Sequence, residues 1–297
     1  MTEEKTYDCI IIGAGPGGLQ AAIYLGRYNR SVLLIDRGAG RTTHAKHIRN
    51  FLTQPSISGQ EIIRVGMEQA KSFGVELIKG VVTSVTKNRG VFEVTTETGT
   101  YSGLFVIVST GGKENIPDIE NIYKFFATTV VTCIDCDGYL FTGKKSLIIG
   151  NSIKSANLAM GMREMYSRDM TLVLCTDKLP PDYKEEMKDE GIRLVIGRPK
   201  RFHGDEAVES LEMEDGTIIP CEMVMSHFGF KLNDQFLSGL NMKKESDNRT
   251  YQVNRDFESS LSGLYIVGPL CGHDQVVIAA GEGAIAALDI KKRLLEM

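Results

Sequence analysis

The chain has 297 residues, 42% hydrophobic and 24% charged, which is ordinary for a folded globular protein and too long for one average domain. Its formal net charge of −4 argues against nucleic acid or an anionic membrane as partner. No apolar run reaches the length of a membrane span, and the acidic, polar start from Met1 to Asp8 lacks a signal sequence's apolar stretch, so a cytoplasmic protein of two domains is expected.

The first predicted element is a buried strand over Tyr7 to Ile12. Gly13-Ala14-Gly15-Pro16-Gly17-Gly18 follows, and then a helical pattern through Leu19, Ala22, Ile23 and Leu25. In such a strand, turn and helix, Gly13 permits the turn, Gly15 lets backbone approach a pyrophosphate, and Gly18 allows the helix to pack closely. The helix N-terminus faces the phosphate charge. A second strand, Ser31 to Ile35, ends in Asp36, about twenty positions after Gly15, where an acid grips ribose hydroxyls. Leu104 to Val108 is a further buried strand, ending in Ser109-Thr110-Gly111-Gly112.

Next comes Cys133-Ile134-Asp135-Cys136-Asp137. Two thiols at this spacing can close a small disulfide, and a thiolate there exchanges readily when a helix N-terminus or a charge lowers its pKa. Half a zinc site is the alternative, but the second Cys or His pair it needs is missing. Cys9, Cys175, Cys221 and Cys271 stand singly; the first three lie in or beside apolar runs, where a free Cys is a small buried hydrophobe. His44 and His47 have no third ligand beside them, so no metal is expected. A strand at Ser146–Ile149, a helix at Ile153–Met165 and a strand at Met170–Leu174 repeat the nucleotide-binding scaffold. The glycines are absent there: Gly150 is followed by Asn151-Ser152-Ile153-Lys154-Ser155. After the second strand, Cys175-Thr176-Asp177-Lys178 lacks a basic cluster for a 2′-phosphate, which Asp177 would repel.

These motifs resemble the low-molecular-weight thioredoxin reductase family of flavoproteins over essentially the whole chain. Gly13 to Gly18 matches its FAD fingerprint, Ser109-Thr110-Gly111 its Ala-Thr-Gly turn, and Cys133 to Gly138 its redox motif. Gly263 to Gly268, Gln275-Val276-Val277 and Ala279 to Ala284 resemble its closing flavin-contacting strand and helix. The resemblance implies an α/β fold of two Rossmann-like domains: an FAD domain in two segments, 1–112 and 246–297, and a central domain, 113–245, carrying the dithiol. It further implies a homodimer. Cys136 is then the sulfur beside the flavin, Cys133 the one that attacks the partner disulfide, and Asp137 the proton donor or acceptor. The implied FAD contacts are Gly13, Gly15, Pro16, Gly17, Gly18, Asp36, Arg37, Asn50, Thr110, Gly111, Gly268, Gln275 and Val276. One departure is Pro269, where the family has an Asp; proline offers neither a charge nor an N–H.

The degenerate second fingerprint is similar to the pyridine-nucleotide-independent branch, in which ferredoxin supplies the electrons. A ferredoxin near −400 mV and a thioredoxin near −270 mV differ by about 130 mV, making a two-electron transfer downhill by about 6 kcal/mol. Between Arg37 and Gln60 the chain carries Arg37, Arg41, Lys46 and Arg49 and no Asp or Glu. That charge suits either cofactor phosphates or an acidic donor protein. The expected function is FAD-dependent reduction of thioredoxin, or a similar redox protein, through Cys133 and Cys136 without NADPH. The alternatives are an oxygen-using dithiol oxidase with a small-molecule substrate, an NADPH-dependent thioredoxin reductase with an atypical nucleotide loop, and a non-catalytic flavin-binding sensor.

Overall fold

The computed structural model of the chain describes residues 5–297; residues 1–4, where the polar start read above begins, lie outside the described residues. The chain divides into two units, Met1–Lys113 with Lys231–Met297, and Glu114–Phe230.

The first unit opens with β1 (Thr6–Ile12), buried from Cys9 through Ile12, as a central parallel strand must be. Helix α1 (Pro16–Arg27) starts with proline in its first turn, where the missing N–H costs nothing, and buries Leu19, Ala22 and Leu25. β2 (Val32–Asp36) follows, then α2 (Gly59–Ser72), whose Ser58 cap accepts the Glu61 N–H, one half of a capping box. β3 (Glu76–Lys79), β4 (Val82–Asn88), β5 (Val91–Thr96) and β6 (Thr100–Val108) complete the first segment. Arg89 and Gly90 both take positive φ in the tight turn between β4 and β5.

The chain crosses into the second unit at β7 (Gly112–Glu114). There it forms α3 (Ile122–Phe125), β8 (Val130–Val131), α4 (Ile134–Asp137), β9 (Ser146–Gly150), α5 (Ile153–Met165) and β10 (Met170–Leu174). α6 (Pro181–Asp189), β11 (Arg193–Ile196), β12 (Pro199–His203), β13 (Ser210–Met213), β14 (Ile218–Pro220) and β15 (Met223–His227) follow. The order β11-β10-β9-β15-β8 makes a parallel sheet, while β12, β13 and β14 form a separate antiparallel one. Ile149, Val173 and Val224 face one core of this unit, and Ile148, Leu172 and Met225 the other, the period-2 alternation of a sheet covered on both sides.

The return passes through β16 (Phe230–Leu232) and ends in β17 (Leu264–Ile266) and α7 (Val276–Glu296). The first unit's sheet has the order β3-β2-β1-β6-β5-β4. β6 is shared: Thr100–Gly103 pairs with β5, and Val106–Val108 pairs in parallel with β17. The central unit ends at Phe230, whereas the sequence analysis sets that boundary at 245. The reason is local: Asn233 bonds to Thr110 and Gly111, and Asp234 accepts hydrogen bonds from Lys244 and Tyr251, so 231–245 folds with the first unit.

Candidate functional site

A cavity of about 650 Å³ opens in the first unit at the carboxyl ends of β1, β2 and β6, the edge at which open α/β sheets receive ligands. Gly13, Gly15, Pro16 and Gly17 bring the amino end of α1 to it, and the first turn of α1 holds no acidic residue to oppose an anion.

The glycines of this turn serve different ends. A Cβ on Gly18 would stand 2.1 Å from the Gly13 carbonyl oxygen, and one on Gly13, at φ +100°, 2.5 Å from that of Ser109. Both are demanded by the protein's own packing. A Cβ on Gly15 would meet nothing closer than 3.4 Å, and its backbone is ordinary at φ −71°. Protein packing alone does not require glycine there; a ligand approaching the cavity wall does.

Asp36 ends β2 with its carboxylate accepting from the Ala14 N–H at 2.9 Å and the Gly38 N–H at 2.7 Å, which fixes it at the rim. Arg37, Thr110, Gly111, Gly268, Gln275 and Val276 also line the cavity. Gly268 donates its N–H to Glu282 Oε2 at 2.5 Å. Two residues in the implied contact set are placed elsewhere: Gly18 packs beneath the turn, and Asn50 lies exposed in the loop beyond the Ile48–Ile57 bridge.

Sequence reasoning missed Asn233, which sits at the cavity from beyond the central unit. Its Nδ2 donates to the Thr110 carbonyl at 2.9 Å, and its own carbonyl accepts from Thr110 Oγ1 at 2.6 Å. Arg41, read from the sequence as part of a basic stretch suited to cofactor phosphates, lies on the wall, and what the sequence does not disclose is its ion pair with Asp274 at 2.9 Å. No local pattern marks either pair, because each joins residues far apart in sequence.

In the second unit Cys133 and Cys136 form a disulfide with Cα atoms 5.3 Å apart, both half-buried. Cys133 caps α4, and the Cys136 N–H points at its sulfur at 3.1 Å. A thiolate on Cys133 would receive that N–H and be stabilised by it. Asp137, on the last turn of α4, is half-buried. The single cysteines differ: burial pushes the Cys221 and Cys271 thiols up to about 12, and raises Cys9 and Cys175 as well, so none favours the nucleophilic thiolate.

The degenerate fingerprint in the second unit has a different finish. Ser152, the cap of α5, occupies the place that Gly15 holds before α1, adding a Cβ and hydroxyl where a diphosphate would approach. Ser155, fully buried, matches Gly18; its Oγ stands 3.0 Å from His227 Nδ1 and 3.4 Å from the His227 carbonyl. Asp177 pairs with Lys184 at 2.6 Å.

The family model described as pyridine nucleotide-disulphide oxidoreductase matches residues 7–284. The chain belongs to that family. Among similar members, the thioredoxin reductase of Listeria monocytogenes is 26% identical, over 100% of this chain and 96% of that protein. The crystal structure of HlmI superposes with a TM-score of 0.92 at 26% identity, covering 100% of this chain and 95% of the other. The thioredoxin reductase of Streptococcus pyogenes superposes with a TM-score of 0.90 at 25% identity, covering 98% and 99%. The expected α/β fold with Rossmann-like sheets is therefore present. Like the family's thioredoxin reductases, this chain is a flavin-dependent oxidoreductase with FAD as cofactor. The cavity fits that group: a glycine kept free for ligand approach, a helix amino end without acids, a fixed carboxylate at the end of β2, and Arg37 and Arg41 on the wall.

Proposed function

We propose that the enzyme reduces the disulfide of thioredoxin or a thioredoxin-like protein through Cys133 and Cys136, with ferredoxin rather than NADPH as reductant. Ser152 carries this reading, supported by buried Ser155 bonded to half-buried His227: a side chain stands where the diphosphate of a nicotinamide cofactor would need bare backbone. The FAD contacts are Gly13, Gly15, Pro16, Gly17, Asp36, Arg37, Thr110, Gly111, Gln275 and Val276, joined by Asn233, with the amino end of α1 and the arginines opposing phosphate charge. When bound there, FAD would supply the two electrons that reduce the Cys133–Cys136 disulfide, with ferredoxin, a one-electron donor, as their source.

The chain's own groups do the rest. Reduction breaks the S–S bond and leaves a thiolate on Cys133, which the Cys136 N–H stabilises. That thiolate attacks one sulfur of the partner's disulfide, forms a mixed disulfide, and expels the second partner sulfur, to which Asp137 delivers a proton. The Cys136 thiol then attacks Cys133 and its proton passes to the departing partner sulfur, which restores the internal disulfide and releases the partner as a dithiol. Lys46, exposed in the basic stretch, suits the acidic face of a donor protein.

A homodimer and a cytoplasmic setting belong to the same reading. α7 exposes Val277, Ile278, Ile285 and Leu288, an apolar surface suited to a second copy. Among the described residues no helix is long and apolar enough to cross a membrane.

The test is an anaerobic titration of the FAD-loaded protein followed in the flavin band. Reduced ferredoxin should bleach it and NADPH should not. Bleaching by stoichiometric NADPH would overturn the donor assignment, and rapid reoxidation by oxygen coupled to dithiol consumption would favour the oxidase instead.

A further inference from the structure

Independently of the redox reading, the chain turns back on itself where β17 leads into α7. A short 3-10 turn over Gly268–Cys271 is followed by Gly272 at φ +106°, a left-handed conformation that costs glycine little. This reversal brings Cys271 and His273 over the buried carboxylate of Glu282. We propose that Cys271 Sγ, His273 Nδ1 and the Glu282 carboxylate bind a divalent metal ion of the zinc class, with a fourth position open to solvent.

The three ligand atoms lie within 4.8 Å of one another. Cys271 Sγ stands 3.7 Å from Glu282 Oε2. Zinc bonds of about 2.3 Å to sulfur and about 2.1 Å to oxygen, meeting at the tetrahedral angle, need about 3.6 Å between those two atoms. His273 Nδ1 is 2.6 Å from Glu282 Oε1, and a rotation of its half-exposed ring opens this edge to tetrahedral length. A thiol, an imidazole and one carboxylate suit zinc and disfavour magnesium or calcium, which take oxygen ligands.

Glu282 is the second, independent observation. Its side chain is 3% exposed. Its Oε1 nevertheless has no aligned hydrogen bond: the His273 nitrogen is near but off the bonding direction. A metal ion held between that ring nitrogen and the carboxylate would replace this close, unaligned contact with bonds to both. The Gly268 N–H also holds Oε2, the oxygen at tetrahedral distance from Cys271 Sγ, and so fixes the direction of the carboxylate. His273, 53% exposed, provides the entry path. Binding displaces the proton of the Cys271 thiol, so affinity rises with pH. The ion would pin the turn that presents Gly268, Pro269, Asp274 and Gln275 to the cofactor cavity.

The experiment is calorimetric titration of zinc chloride into FAD-loaded protein with Cys133–Cys136 kept oxidised, so that those sulfurs cannot ligate. Cobalt(II) in a parallel titration reports thiolate coordination by absorption to the red of the oxidised flavin. One ion per chain is expected, with Cys271→Ser and His273→Ala each weakening binding on the order of tenfold or more and Cys271→Ser abolishing the cobalt–thiolate band. Retained FAD absorbance confirms that the exposed-site variant His273→Ala is folded. Absence of saturable binding at millimolar zinc, or equal affinity in wild type and both variants, would overturn the proposal.

Discussion

Ser155 Oγ lies 3.0 Å from His227 Nδ1, beside the carboxyl ends of β9 and β15, where the doubly wound sheet of the central unit reverses strand order. That crevice receives the nucleotide in open α/β sheets. Here a buried serine and a half-buried histidine are bonded to each other beside it.

The pair makes stability pH-dependent. Burial, and then the charge of Lys154, lower the His227 pKa from its ordinary value of about 6.5. Below about pH 6.5 the unfolded chain therefore holds a proton that the native chain does not, so this contribution to stability is complete above that pH and is lost as pH falls through the lowered native value. Urea midpoints compared at about pH 7.5 and about pH 5.5 should drop more for wild type than for His227→Gln. Equal drops would remove His227 as the cause.

Gly15→Ala and Gly18→Ala separate ligand approach from packing. Gly18→Ala forces a Cβ to 2.1 Å from the Gly13 oxygen and should destabilise the protein by about 1–3 kcal/mol. Gly15→Ala, with no atom nearer than 3.4 Å, should unfold like wild type yet lose FAD affinity by about tenfold or more. Denaturation curves and flavin content after dialysis read the two effects.

Cys133→Ser should abolish thioredoxin reduction. Cys136→Ser should instead accumulate a mixed disulfide with the partner, visible by mass, since Cys133 is the capped sulfur. Trapping through Cys136 alone would reverse the two roles. Asp137→Asn should slow turnover by about a hundredfold while leaving the oxidised flavin spectrum unchanged.

Lys46→Glu should slow reduction by ferredoxin several-fold at low salt, with the difference shrinking as salt is added, and leave FAD occupancy intact. Stopped-flow traces that superimpose with wild type at low salt would remove the basic stretch as a docking face.

The first nucleotide site was legible because its signals are local: strand, glycine turn, helix and acid all fall between Tyr7 and Asp36. The same holds for Cys133 and Cys136, whose spacing brings them together. The edge strand β3, the antiparallel pair β4 and β5, and the antiparallel strands β12 to β14 carry short, half-exposed patterns and went unread. Asn233 at Thr110, His227 at Ser155 and Glu282 at Cys271 are side-chain pairings that only tertiary structure creates. The boundary at Phe230 was missed for that reason too, since the hydrogen bonds of Asn233 decide it.

The closeness of α1 to α7, where a Cβ on Gly283 would stand 2.0 Å from the Gly17 carbonyl oxygen, has a bearing on biosynthesis. The helix that opens the FAD fingerprint is buttressed by α7, which is synthesised long after it, and β6 waits for β17 to cover its free half. The central unit, continuous in sequence, can condense while its host is still incomplete. Cofactor capture is thus a late event, and a chain arrested before Leu264 would present the apolar faces of α1 and β6 to the chaperone machinery.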